Sequence, residues 1–149
     1  MEEDQNKIYD ILSVFEEGVF VELNYSEKAL NFKLECRFLA EMLDPNYSNF
    51  YGVFKNCDDF YFEPWDEEGL VLRAAKDIEA LRPDILSIEV AEDDSIKIFS
   101  NCSESFSGGN FVIHAKDVMI YDEDFRMLDL ETLSKLSENY WMGNGAENN

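Results

Sequence analysis

Between Asn110 and Tyr121 the chain reads Asn-Phe-Val-Ile-His-Ala-Lys-Asp-Val-Met-Ile-Tyr, and the order of apolar residues there restricts the fold more than any other stretch. Side chains of an extended chain alternate faces, so Phe111, Ile113 and Ala115 point one way, whereas Val118 and Ile120 carry the opposite parity. The apolar phase therefore changes at Lys116-Asp117. A single buried strand with a bulge at that point would restore it.

From Gly69 to Ile85 the chain resembles a second version of this stretch with one alanine inserted, Lys76-Asp77 falling on Lys116-Asp117 and Val71 on Val112. Upstream, Phe54-Lys55-Asn56-Cys57 matches Phe99-Ser100-Asn101-Cys102 at an offset of about 40 to 45 residues, within the range of internal repeats. This predicts two similar β units with Val71 and Val112 in equivalent places. The alternative is chance likeness between strands of similar composition. The segment is ambiguous, because Leu70, Ala74, Ile78 and Leu81 also form a helical stripe between a capping Asp66 and a stopping Pro83. The repeat favours a strand over Leu70 to Arg73, and a helix remains open for Ala74 to Leu81.

Elsewhere the pattern is plainer. Ile8, Ile11, Leu12 and Phe15 lie on one helical face between Gln5 and Glu17, with Gly18 placed as a cap. Val19, Val21, Leu23 and Tyr25, then Leu30, Phe32, Leu34 and Cys36, alternate about Ser26-Glu27-Lys28-Ala29 as a hairpin with one wet face, Cys36 being a core residue. Arg37 to Leu43 fits strand or helix, and Asp44-Pro45-Asn46 is a turn. Two short strands about Asn56-Cys57-Asp58-Asp59 account for the rings from Phe50 to Phe62. A second hairpin pairs Leu86 to Val90 with Ile96 and Ile98 through Glu92-Asp93-Asp94. Leu130, Leu133, Leu136 and Tyr140 mark a C-terminal helix capped by Asp129 and ending near Trp141. The expected architecture is α+β: one globular domain over 1–142, mainly antiparallel β-sheet with an N-terminal and a C-terminal helix, followed by a disordered tail over 143–149.

A chain of 149 residues, 46% hydrophobic, can enclose one core. Its formal charge of -21 repels phosphate backbones and anionic lipid, which argues against nucleic-acid and membrane partners. Cys36, Cys57 and Cys102 are odd in number and widely spaced, signalling neither a disulfide framework nor a zinc site, and with an acidic Met1-Glu2-Glu3-Asp4 they suit the cytoplasm. No motif calls for a cofactor. The carboxylate runs lack the spacing of a calcium loop, and the serines of 103–107 lack a nucleophile elbow.

These observations point to a non-catalytic acidic module that recognises another protein with a basic surface, in the manner of bacterial inhibitor or immunity proteins. The contact residues expected are Tyr51, Tyr61, Trp65, Asp58, Asp59 and His114, since rings beside a loop and unpaired acid suit an interface. An aromatic-lined pocket for a small ligand or a hydrolysis, using Tyr51, Tyr61, Trp65 and the sole histidine, is the alternative. A structural subunit burying its rings in a homodimer is the third reading.

Overall fold

The structure is a computed structural model that describes residues 2–103 and 105–147. Along the chain run α1 (Glu2–Ser13), β1 (Val19–Ser26), β2 (Ala29–Glu35), α2 (Arg37–Leu43), β3 (Asn49–Lys55) and β4 (Asp59–Pro64). After them come α3 (Ala75–Leu81), β5 (Ser87–Val90), β6 (Ile96–Asn101), β7 (Gly108–His114), β8 (Asp117–Tyr121), β9 (Met127–Leu128) and α4 (Leu130–Glu147). The fold is α+β, mainly antiparallel, with a helix at each end. Two sheets form it: sheet A in the order β1-β2-β3-β8-β9 and sheet B in the order β4-β7-β6-β5.

The phase change at Lys116-Asp117 is not a bulge in one strand. It is where the chain leaves sheet B and enters sheet A, β7 pairing with β4 and β6, and β8 with β3 and β9. A strand that turns a corner between facing sheets must exchange its inward parity, which is the pattern the sequence displays. β3 and β4 make the reverse passage at Asn56–Asp58, and the two crossings lie side by side. Lys116 N donates to Lys55 O (3.0 Å) and Asp58 N to His114 O (2.9 Å). The first crossing is held to the β1–β2 hairpin, where Cys57 N donates to Lys28 O (2.8 Å) and Tyr25 Oη to Cys57 O (2.6 Å). The second is held to α1 by the buried Gln5, whose Nε2 donates to Ala115 O (2.9 Å).

The supposed repeat dissolves on this frame. Lys76-Asp77 opens α3, whereas Lys116-Asp117 stands at a sheet crossing. Val71 sits in a loop at 36% exposure and Val112 in mid-strand at 2%. Leu70 to Arg73 is not a strand; Leu72 alone makes one antiparallel bridge, to Phe62. Alanine-rich 74–81 follows its helix propensity, while the β-branched residues of 112–120 follow theirs.

The first hairpin is a two-residue turn with Glu27 and Lys28 both at positive φ (50° and 62°), whose twist matches that of the strands it joins. Its inward residues differ from simple alternation. The register shifts between Phe20 and Glu22, so the extra residue Val21 brings Phe20 and Leu23 inward together and takes Val19 and Val21 out of the inward row. Arg37 to Leu43 is helical. The α1 helix stops at Ser13 and turns carry the chain to Gly18, with Glu17, not Gly18, in the left-handed conformation (φ 74°). Asp129 caps α4 as expected, accepting from Thr132 N (2.8 Å). That helix runs past Trp141 to Glu147; of the tail expected over 143–149, residues 148 and 149 lie outside the described residues.

One core lies between the sheets. Ile8 and Leu12 of α1 and Phe15 of the turn after it join Phe20, Phe50 and Phe111, with edge-to-face contacts at Phe15–Phe50 (4.9 Å) and Phe20–Phe111 (5.4 Å). Phe32 lies over Gly52, its partner on β3, where an added Cβ would stand 2.2 Å from Phe32 Cζ. Two of the four edge strands, β1 and β4, are shielded as well. Pro83–Ile85 bonds to Gly18 and Phe20 beside β1, Glu79 accepts from Leu23 N (2.8 Å), and Leu72 covers β4. At β1 and β4, therefore, the sheets present faces and not edges to other molecules.

Candidate functional site

On β4, Phe60, Phe62 and Pro64 are the buried alternates, which sends Asp59, Tyr61 and Glu63 to the outer face of sheet B. The register sets Asp59 opposite His114, Tyr61 opposite Val112 and Glu63 opposite Asn110 on β7, and β6 adds Lys97 and Phe99 on the same side. Val112 is covered on this outer face by its two cross-strand neighbours, Tyr61 and Lys97.

Trp65 continues the β4 ladder, its N donating to Gly108 O (3.0 Å). The indole Nε1 donates to Asn110 Oδ1 (2.9 Å), and the ring lies against Gly108, where a Cβ would come within 2.5 Å of Cζ3. The glycine makes a seat for the indole on the sheet, and the ring remains 47% exposed. Next to it, Asp66 accepts from Ser107 N (2.7 Å) and Oγ (2.8 Å), bonds that hold its carboxyl below the usual carboxylate range.

Farther along the strand, the Arg73 guanidinium lies 5.1 Å from the centre of the Tyr61 ring while Nη1 reaches both Asp59 oxygens (3.2 and 3.4 Å). Partial burial pushes the Tyr61 phenol up, and the nearby charges of Glu63, Asp93 and Asp59 push it further. The face thus combines a seated indole, a stacked phenol and a surplus of carboxylate.

His114 closes the row, its ring 6.3 Å from that of Tyr61. Its Nε2 stands 4.0 Å from Asp93 Oδ2, beyond hydrogen-bonding distance. The Asp93 carboxylate is occupied by Ser95, whose Oγ (2.6 Å) and N (3.1 Å) donate to it and lower its pKa. A cleft of about 170 Å³ lies here, lined by Gln5, Asn56, Asp58, His114 and Lys116 among others.

The fold thus assembles Asp59, Tyr61, Trp65 and His114 on one face, leaves Asp58 at its border beside His114, and separates Tyr51 from it. Tyr51 points outward from sheet A, with Lys33 Nζ 5.8 Å from its ring centre. Asp58 sits in the crossing, paired with Lys28 (3.2 Å). The aromatic pocket imagined from Tyr51, Tyr61, Trp65 and His114 therefore does not form. Nucleophiles are poorly placed too. Burial pushes the thiols of Cys57 and Cys102 up to about 11 and that of Cys36 to about 12, which keeps them protonated at neutral pH. The Ser103 and Ser107 hydroxyls anchor their loop to Leu81 O and Asp66.

Among the described residues, no group of three or more His, Cys, Asp and Glu side chains is arranged to hold a metal ion, and no helix is long and apolar enough to cross a membrane. Sequence reasoning had omitted Arg73, Asn110 and Gly108. Asn110 was legible from the parity of His114, whereas Arg73 belongs to an irregular loop whose course no periodicity reveals. No family model, no curated protein and no solved structure matches the chain.

Proposed function

We propose that the chain is a non-catalytic acidic binding module that recognises another protein, one with a basic surface, in the manner of an inhibitor or immunity protein. Its docking face is the outer side of β4, β7 and β6. The observation that carries this reading is the seating of Trp65 on Gly108 with its indole nitrogen fixed by Asn110. A half-exposed tryptophan that is already immobilised loses little freedom on binding, which is the property of an interface anchor. Beside it stand Glu63 and Asp66, Asp59 lies at the far end of the same face paired with Arg73, and the whole chain carries a formal charge of -21, so a cationic partner is attracted and an anionic one turned away. The three free cysteines suit action in a reducing cytoplasm.

The test is affinity capture from the cells that make the protein, at low salt, with the captured protein purified and its affinity then measured directly. A basic partner is expected whose affinity falls about tenfold or more when salt is raised above physiological strength, and by at least about 30-fold for Trp65→Ala. Affinity indifferent to salt and to both Trp65→Ala and Tyr61→Ala would remove the reading.

A further inference from the structure

The turn between β8 and β9, Asp122 to Arg126, is held more firmly than joining two strands requires. Asp122 is 3% exposed, and its carboxylate accepts from Asp124 N (2.8 Å), Arg126 N (3.0 Å) and Arg126 Nε (2.9 Å). Glu123 reaches to the start of β3, its Oε2 accepting from Ser48 N (2.6 Å) and Asn49 N (3.0 Å). At the tip, Phe125 adopts φ 61° and is the one aromatic residue in the left-handed region among the described residues. A bulky side chain disfavours that conformation, which glycine and asparagine accept readily. None of the turn's hydrogen bonds involves the ring. It lies over Tyr51 with centroids 4.7 Å apart and stays 65% exposed, and Met127, opposite Tyr121 in the register, is 57% exposed.

We propose that Phe125 is the anchor of a second protein contact, distinct from the face on sheet B, and that it inserts into an apolar socket whose rim carries lysine or arginine. A strained residue whose surroundings over-determine it marks a position kept for something other than stability. An aromatic held on a stiffened turn is organised for insertion before any partner arrives. Charge selects the occupant. Asp122, Glu123 and Asp124 precede the ring against one cation in the turn, Arg126, which pairs with Asp122 (2.9 Å) and Asp124 (3.4 Å). The turn therefore keeps an excess of negative charge, and a second copy of a chain with net charge -21 would bring like charges together.

The experiment places the photo-crosslinking analogue p-benzoylphenylalanine at position 125 of the full chain, and at the exposed Tyr9 as a control, in lysate of the cells that make the protein. The expected product is a cross-link to a basic protein, at least about tenfold above the Tyr9 control and weaker at about 300 mM salt than at about 50 mM. The cross-link maps to apolar residues of that protein. Unlabelled wild-type chain and Trp65→Ala compete with it, and Phe125→Asn does not. A cross-link to a second copy of this chain, or none above the control, overturns the proposal. Failure of Trp65→Ala to compete also overturns it, since both faces would then serve one contact. A readout without any partner runs alongside: Phe125→Asn leaves Tm unchanged or raises it by up to about 4 °C. Any measurable fall would show the ring to be held for its packing on Tyr51 and would equally overturn the proposal.

Discussion

Among the described residues an aromatic ring lies on a glycine of a neighbouring strand three times, twice inside, as Phe32 on Gly52 and Phe62 on Gly109, and once outside. Phe32 covers Gly52 in the interior of sheet A, in van der Waals contact with Phe20 and Phe54 (centroids 5.3 and 5.0 Å). Trp65 covers Gly108 on the outer side of sheet B, where its other face meets solvent. The local device is the same: removing a Cβ lets a flat ring approach the backbone. The difference lies in what covers the ring. In the core the other face of Phe32 is occupied by the protein itself, so the pair contributes to stability. At the surface it is left vacant, so the pair contributes a platform.

The contrast is broken most forcefully by Phe32→Ala, which opens a cavity in a packed interior. A loss of about 3–5 kcal/mol in urea unfolding is expected. Gly52→Ala drives a methyl into the Phe32 ring and is expected to cost about 1–3 kcal/mol by the same measurement. Trp65→Ala, by contrast, is expected to change stability by less than about 1 kcal/mol while weakening binding of the partner at sheet B by at least about 30-fold. If its unfolding free energy fell as far as that of Phe32→Ala, the two pairs would be equivalent and Trp65 merely structural.

The smallest expected effect is an acid one. Hydrogen bonds from Ser107 depress the Asp66 carboxyl below its ordinary value, so its contribution is complete above that value and disappears as pH falls through the depressed one. Below about pH 4 the 105–107 loop should therefore loosen beside Trp65 while the Phe32 pair is untouched. In a Trp141→Phe background, Trp65 emission should shift there without loss of far-UV circular dichroism, and Asp66→Asn should remove the step.

Much of this frame was legible in the residues themselves. The parity of Phe111 and Ile113 set His114 and Asn110 outward, alternation found both hairpins, and Asp129 announced α4. The reversal at Lys116-Asp117 was visible too, yet a one-strand pattern cannot say whether a parity change is a bulge or a passage to another sheet. Pairing partners decide that, and they lie 62 residues away, where Lys55 meets Asp117. The opposite error occurred at Val21, where a true bulge left no mark because Val19, Phe20, Val21 and Leu23 are all apolar. Of the contact residues, Tyr61 and His114 met because their strands pair, whereas Tyr51 and Tyr61 look alike in sequence and are parted by the crossing between β3 and β4. Phe125 left no signal at all, since a left-handed φ on an aromatic residue runs against every local preference.

Because the chain passes through both layers on adjacent strands, neither layer is a separable unit. Pulling β4 away from β7 withdraws the continuation of β3 from β8, so partial opening of one sheet strains the other through two short connections. Unfolding should accordingly be a single cooperative event, with the slowest-exchanging amides of Phe54, Tyr61 and Phe111 reporting one common opening free energy under native conditions.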